Sequence, residues 1–152
     1  MKFADLTTGR RFTLGPLRVD VDDVLAFARN YDDQWFHTDP AQAEQGPFKG
    51  LIASGWHTCA LAMQLVSREI LKGSESFASP GLAYVRWPGP VRPGDMLSLE
   101  VIVLESRISA SRPWLGVIRW QWFMHNQDGQ KVLDLEATSM FKIGVEPVTG
   151  SR

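Results

Sequence analysis

Between Tyr31 and Pro40 the chain reads Tyr31-Asp32-Asp33-Gln34-Trp35-Phe36-His37-Thr38-Asp39-Pro40, so a carboxylate, an amide and an imidazole lie close together in sequence. A carboxylate and an imidazole that reach the same point can bind one water molecule and move its protons, which is general acid–base chemistry. The spacing sets a geometric condition on that use. On one continuous helix, five residues at about 100° each would leave Asp32 and His37 roughly 140° apart, unable to meet at one atom. The segment must therefore bend, and it is expected as a loop between two helices. The same residues also fit a simpler use, in which Asp32 or Asp33 closes the preceding helix and His37 packs beside Phe36. Both uses stand at this point.

The flanking elements follow from local signals. Asp20 is suited to cap a helix whose first turn holds Asp22 and Asp23 near the positive end of the dipole, and which runs through Val24, Leu25, Phe27 and Ala28 to about Tyr31. Asp39 as N-cap, Pro40 at the first helical position and Gln42 three residues after the cap predict a short helix to about Gln45, ended by Gly46-Pro47. A charge-poor helix is expected from about Ala53 to Leu71, with Gly73 at its C-terminal end. Beyond it the apolar period changes to two. Leu97, Leu99, Val101 and Val103 share a face, as do Ile118, Trp120, Trp122 and Met124, and as do Leu133, Leu135 and Ala137. A shorter strand is predicted from Leu82 to Trp87, before Pro88-Gly89-Pro90. The pattern is a helical first half followed by strands, an α+β layout in which an antiparallel sheet curls around one apolar helix. A helix apolar on all sides needs more cover than that sheet gives, so a second copy of the chain, a homodimer, is expected.

Composition narrows the classes of partner. The chain has 152 residues, 44% of them apolar or aromatic, which suits one domain spanning residues 1–152. Sixteen basic against seventeen acidic residues leave a net charge of −1, and no basic run concentrates a field for nucleic acid or an anionic membrane surface. The stretch from Gly50 to Ser67 lacks charge but contains His57, Thr58 and Gln64, too polar for a membrane span. With one cysteine, Cys59, and no secretory pattern at the N-terminus, a reducing cytoplasmic location is expected. No metal motif is present and no metal site is expected.

Asp32-Asp33-Gln34-Trp35-Phe36-His37, Asp39-Pro40, Gly50-Leu51-Ile52-Ala53-Ser54-Gly55 and Pro90-Val91-Arg92-Pro93-Gly94-Asp95 together resemble the MaoC-like, or hydratase-2, family of hot-dog enoyl-CoA hydratases and dehydratases. The Ser111-Arg112-Pro113 segment and Asn126-Gln127-Asp128-Gly129 agree with it. The family motif Asp-x-Asn-Pro-x-His places its two ends on Asp32 and His37. Gln34 stands where Asn is usual, and Trp35 stands where Pro is usual, a change that bears on substrate size. The resemblance implies a single hot-dog domain, a long central helix wrapped by a curved sheet, and dimerisation. It implies reversible hydration of trans-2-enoyl-CoA to (3R)-3-hydroxyacyl-CoA without a cofactor, coenzyme A being part of the substrate. Asp32 and His37 are the implied catalytic pair, supported by Gln34 and Ser54. Gly55, at the opening of the charge-poor helix, is the candidate backbone donor to the developing oxyanion, although glycine there also suits close helix packing.

Trp35, Phe36 and Trp56 are expected to contact substrate, and Arg86, Arg92, Arg107 and Arg112 are candidates for coenzyme A phosphates. Other residues carry weaker signals. His57 is expected as a packed, hydrogen-bonded core histidine, His125 as surface, Trp120 and Trp122 as core or dimer contact, and Cys59 as an inert thiol. Two alternatives remain beside the hydratase. A hot-dog thioesterase would need an acid on or next to the central helix, and Ala53–Gln64 has none. A non-catalytic acyl-binding subunit would have no need of both Asp32 and His37.

Overall fold

Period-two burial builds the sheet. In a computed structural model that describes residues 1–145, Leu97, Leu99, Val101 and Val103 are fully buried along β3 (Met96–Ile108), while Ser98, Glu100, Ile102 and Leu104 between and after them are half-buried. The same alternation runs through β4 (Leu115–His125) and β5 (Lys131–Lys142). Two further strands, β1 (Arg11–Arg18) and β2 (Ser76–Arg86), complete a five-stranded antiparallel sheet in the order β1-β3-β4-β5-β2. The end of the expected 1–152 domain lies outside the described residues.

The helices gather around a central one, which packs against the sheet. Asp20 caps α1 (Val21–Tyr31), its carboxylate accepting from the N–H groups of Asp22 and Asp23. A single turn, α2 (Trp35–Thr38), follows, and then α3 (Pro40–Gln45), capped by Asp39, which accepts from Gln42 N–H. The central helix α4 (Gly55–Val66) buries Thr58, Ala62, Leu65 and Val66 among the sheet's apolar side chains. It continues as a wider π-helical turn over Ser67–Leu71 and ends at Gly73, whose φ of +73° is the left-handed conformation that glycine adopts without strain.

Three expectations are corrected. The strands do not all follow the helices, because β1 precedes them. Its Gly15-Pro16 pair is tolerated because β1 is an edge strand, and its register shift between Leu14 and Leu17 absorbs the proline. The Leu82–Trp87 strand is longer, running from Ser76 to Arg86, and three register shifts between Ser76 and Tyr84, one of them across Ser79-Pro80, blur its alternation. The segment from Trp35 to Thr38 is not loop but one helical turn. Among the described residues no helix is long and apolar enough to cross a membrane.

Candidate active site

Asp32 occupies the position where α1 stops. Its backbone N–H still bonds Ala28 O, while its φ of −155° takes the chain out of the helix. The backbone thus makes Asp32 a helix terminator, and the side chain turns elsewhere. One carboxylate oxygen, Oδ2, accepts from the Ser54 hydroxyl at 2.6 Å, and the other, Oδ1, accepts from the Gln34 amide at 2.6 Å. The turn of α2 then brings His37 round, so that its Nε2 lies 3.3 Å from Asp32 Oδ2. The bend required by the five-residue spacing is therefore made by a tight turn, in which Gln34 N–H donates to Asp32 O, followed by one helical turn.

His37 is held at its other nitrogen. Nδ1 is 2.8 Å from the carbonyl oxygen of Ile52, and because a carbonyl only accepts, Nδ1 carries a proton and donates it. Nε2 is thereby left to face Asp32. The Ile52–Ala53 segment is itself fixed on both sides, by Ile52 N–H to Phe36 O and by Ala53 N–H to Val91 O. Hydrogen bonding from Ser54, and then from Gln34, together with the nearby imidazole, holds the Asp32 carboxyl below the ordinary carboxylate value of 3.8, against an opposing effect of burial. Asp32 is therefore an anion near neutral pH.

Ser54 does two things at once. It is fully buried, it orients Asp32, and as N-cap of α4 it accepts from Trp56 N–H at 3.3 Å. Gly55 is the first residue of that helix, where a backbone N–H has no intrahelical carbonyl to bond. The helix dipole adds to its preference for negative charge. A cleft of about 270 Å³ is lined by His37, Gly55 and Thr58 on the helical side, by Phe48, and by the run Trp87–Val91 that follows β2. Asp32 borders this cleft through its contact with His37.

The other expected residues are distributed more widely. Trp35 folds onto Gly46, where an added Cβ would lie 2.6 Å from its ring, and it does not line the cleft. Phe36 packs against the rings of His37 and Phe48. Trp56 is 60% exposed and meets Trp87 edge-on. Arg92 reaches the cleft rim, donating to Phe48 O, whereas the Arg86 guanidinium lies over the Tyr84 ring and Arg107 pairs with Glu105. Arg112 lines a separate surface pocket with Phe77, Trp114 and Lys142, so the structure does not bring it to the cleft.

His57 does not face the cleft either. It lies along a second cavity of about 410 Å³, stacked on Phe27 at 4.7 Å, and its buried Nδ1 has no hydrogen-bond partner among the described residues. The expected hydrogen-bonded core histidine is thus a stacked one. His125 is half-buried at the end of β4, Trp120 and Trp122 are core, and burial pushes the Cys59 thiol up from its ordinary value. Two features escaped the sequence reading. The Ile52 carbonyl that orients His37 is a backbone atom with no residue signature, and Trp87 was visible only as the residue before a Pro-Gly-Pro turn.

A family model described as MaoC-like domain matches residues 4–113, a span that contains the whole Asp32–His37–Gly55 arrangement. The chain belongs to the MaoC-like family. Members of the family are hydratases and dehydratases. The crystal structure of the MaoC-like dehydratase from Rhodospirillum rubrum shares 36% identity with this MaoC-like chain, covers 93% of it and 97% of its own length, and superposes with a TM-score of 0.84. The unliganded R-hydratase PhaJ1 from Pseudomonas aeruginosa shares 27% identity, covers 99% of this chain and 93% of its own, and gives a TM-score of 0.72. In sequence, the uncharacterized protein YdeM of Bacillus subtilis is 32% identical over 142 residues, 93% of this chain and 99% of YdeM. The five-stranded curved sheet around α4 is the hot-dog fold of these neighbours.

Proposed function

We propose that this MaoC-like chain catalyses the reversible hydration of trans-2-enoyl thioesters to (3R)-3-hydroxyacyl thioesters, with coenzyme A as the carrier. The observation that carries the reading is the 3.3 Å approach of Asp32 Oδ2 to His37 Nε2 beside a cleft that Gly55, the first residue of α4, also lines. Hydration needs a group to take a proton from water and a group to give one to carbon. The water oxygen bonds to C3, and the C2–C3 π pair moves toward the thioester to form an enolate. Its oxygen accepts from Gly55 N–H, aimed at the charge as it develops. The proton released by water passes to the Asp32–His37 pair, and a proton from the pair goes to C2 on the same face. Dehydration is the reverse. The pair titrates as one unit, so base and acid are properties of the pair. These residues supply every proton and hydrogen bond the step requires, and no cofactor is proposed.

A homodimer belongs to the same reading. β2 is an edge strand with Phe77 55% and Leu82 47% exposed, and α4 turns Trp56 and Met63 outward. A second copy placed against that edge and helix face would cover this apolar surface. For the thioesterase alternative, α4 offers no carboxylate over Gly55–Val66.

The test is loss of the conjugated enoyl-thioester absorbance across a panel of trans-2-enoyl-CoA substrates, with Asp32→Asn as control. Turnover by the native chain that disappears in the control supports the proposal. A native chain that leaves the whole panel unchanged overturns it and favours the acyl-binding subunit.

A further inference from the structure

Among the side chains of the cleft that the reaction as proposed leaves unused, Trp87 is the one that rests on Gly55. Its indole rests on Gly55: a Cβ added to that glycine would lie 2.6 Å from Cε2, 2.8 Å from Cδ2 and 3.0 Å from Cζ2. Cδ2 and Cε2 are the ring-fusion carbons, which carry no hydrogen and are approached across the face of the ring. Gly55 therefore sits against the face of the indole. A neighbouring ring holds it there: Trp56 packs on it edge-on, with centroids 5.3 Å apart and planes at 78°.

This placement determines what a bound acyl group meets. A thioester oxygen accepting from Gly55 N–H lies about 2.9 Å from that nitrogen. The acyl plane attached to it is then within van der Waals reach of the indole resting on the same residue. Addition of water uses only the face of that plane turned to His37, which leaves the other face for the remaining wall. Apart from His37 and the Thr58 hydroxyl, the side chains lining the cleft among the described residues are apolar, and none belongs to Asp, Glu, Lys or Arg. The acyl group it suits is therefore uncharged.

We propose that Trp87 is a specificity-determining residue whose indole stacks on the flat acyl plane, so that the site prefers acyl groups conjugated beyond C3: 2,4-dienoyl and 3-aryl-2-propenoyl thioesters. The assignment rests on the enoyl-thioester reading above. A conjugated plane keeps its whole length parallel to the indole, whereas a saturated tail leaves the plane at its first tetrahedral carbon. Offset stacking of this kind strengthens binding by about threefold to tenfold.

The experiment compares trans-2-hexenoyl-CoA with 2,4-hexadienoyl-CoA, which share carrier and chain length and differ by one double bond. Each is titrated calorimetrically into the full-length Asp32→Asn protein, where the bound thioester is not consumed. The dienoyl thioester is expected to bind about fivefold tighter, the ratio falling to about one in Asp32→Asn/Trp87→Leu and persisting in Asp32→Asn/Trp87→Tyr. Equal affinities at the start, or a preference that survives Trp87→Leu, overturns the assignment. Turnover of hexenoyl-CoA by the native chain is measured in parallel. If it proceeds while the affinity ratio is flat, only the role of Trp87 falls; if there is neither turnover nor binding, the enoyl-thioester reading falls with it.

Discussion

His37 and His57 are equally withdrawn from solvent, at 5% and 6% exposure, yet their ring nitrogens have different surroundings. His37 has both engaged, Nδ1 by the Ile52 carbonyl and Nε2 by an anionic carboxylate. His57 has an aromatic ring stacked on its face and an unpaired Nδ1. Burial pushes the His57 imidazole below its ordinary value of 6.5, with Asp23 pulling weakly the other way. Burial by itself thus makes an imidazole inert, and a fixed partner at each nitrogen makes it usable. The difference lies in two short-range contacts, the Ile52 carbonyl and the Asp32 carboxylate, and not in depth.

The comparison breaks most completely if the partner is removed. Asp32→Asn or His37→Ala is expected to lower kcat for enoyl-CoA hydration by about 10³-fold with an unchanged far-ultraviolet spectrum, the scale of a lost acid–base group. Either variant retaining native turnover would equate the two histidines after all. Ser54→Ala sharpens the contrast, since it removes the first cause of the lowered Asp32 value. Its acid limb of kcat/KM is expected to move to higher pH, kcat to fall about tenfold, and stability to drop about 1 kcal/mol from the lost cap of α4. An acid limb that stays in place would show that Ser54 does not tune the carboxylate.

The smallest effect on activity is expected at His57. His57→Phe leaves turnover intact, but it changes how stability depends on pH. Because the folded value lies below 6.5, the unfolded chain binds the extra proton in the window from 6.5 down to the folded value, so native stability falls as pH is lowered through it. The variant lacks that loss. Thermal midpoints measured between pH 7.5 and 5 should therefore diverge, with the native chain falling faster; parallel curves would mean that His57 is not held neutral.

What the sequence disclosed was local. Asp20 and Asp39 mark helix starts because a cap acts on N–H groups two and three residues away. β3, β4 and β5 are legible because each buries one face, as the alternation of Leu97, Leu99, Val101 and Val103 shows. β1 was hidden by Gly15-Pro16, and α2 by its length of a single turn. At the site, Asp32 and His37 were found from their types and spacing together with a family resemblance. The Ile52 carbonyl and the Trp87 indole were not, since one is a backbone atom and the other reaches Gly55 from a distant strand end. Arg112 looked equivalent to Arg92 in sequence, but it lines a surface pocket at the Leu115 end of β4, while Arg92 donates to Phe48 O at the cleft.

The two walls of the cleft come from separate stretches of chain. Asp32, His37, Ser54 and Gly55 lie on the α1–α4 stretch and are tied to one another, while Trp87–Val91 joins β2 to β3 and touches the helical side through the indole and the Ala53–Val91 hydrogen bond. On the proposed assignment, Trp87 would set which acyl shapes fit while Asp32 and His37 carry the protons, and the two could be altered separately as long as the Val91 carbonyl that fixes Ala53 is kept.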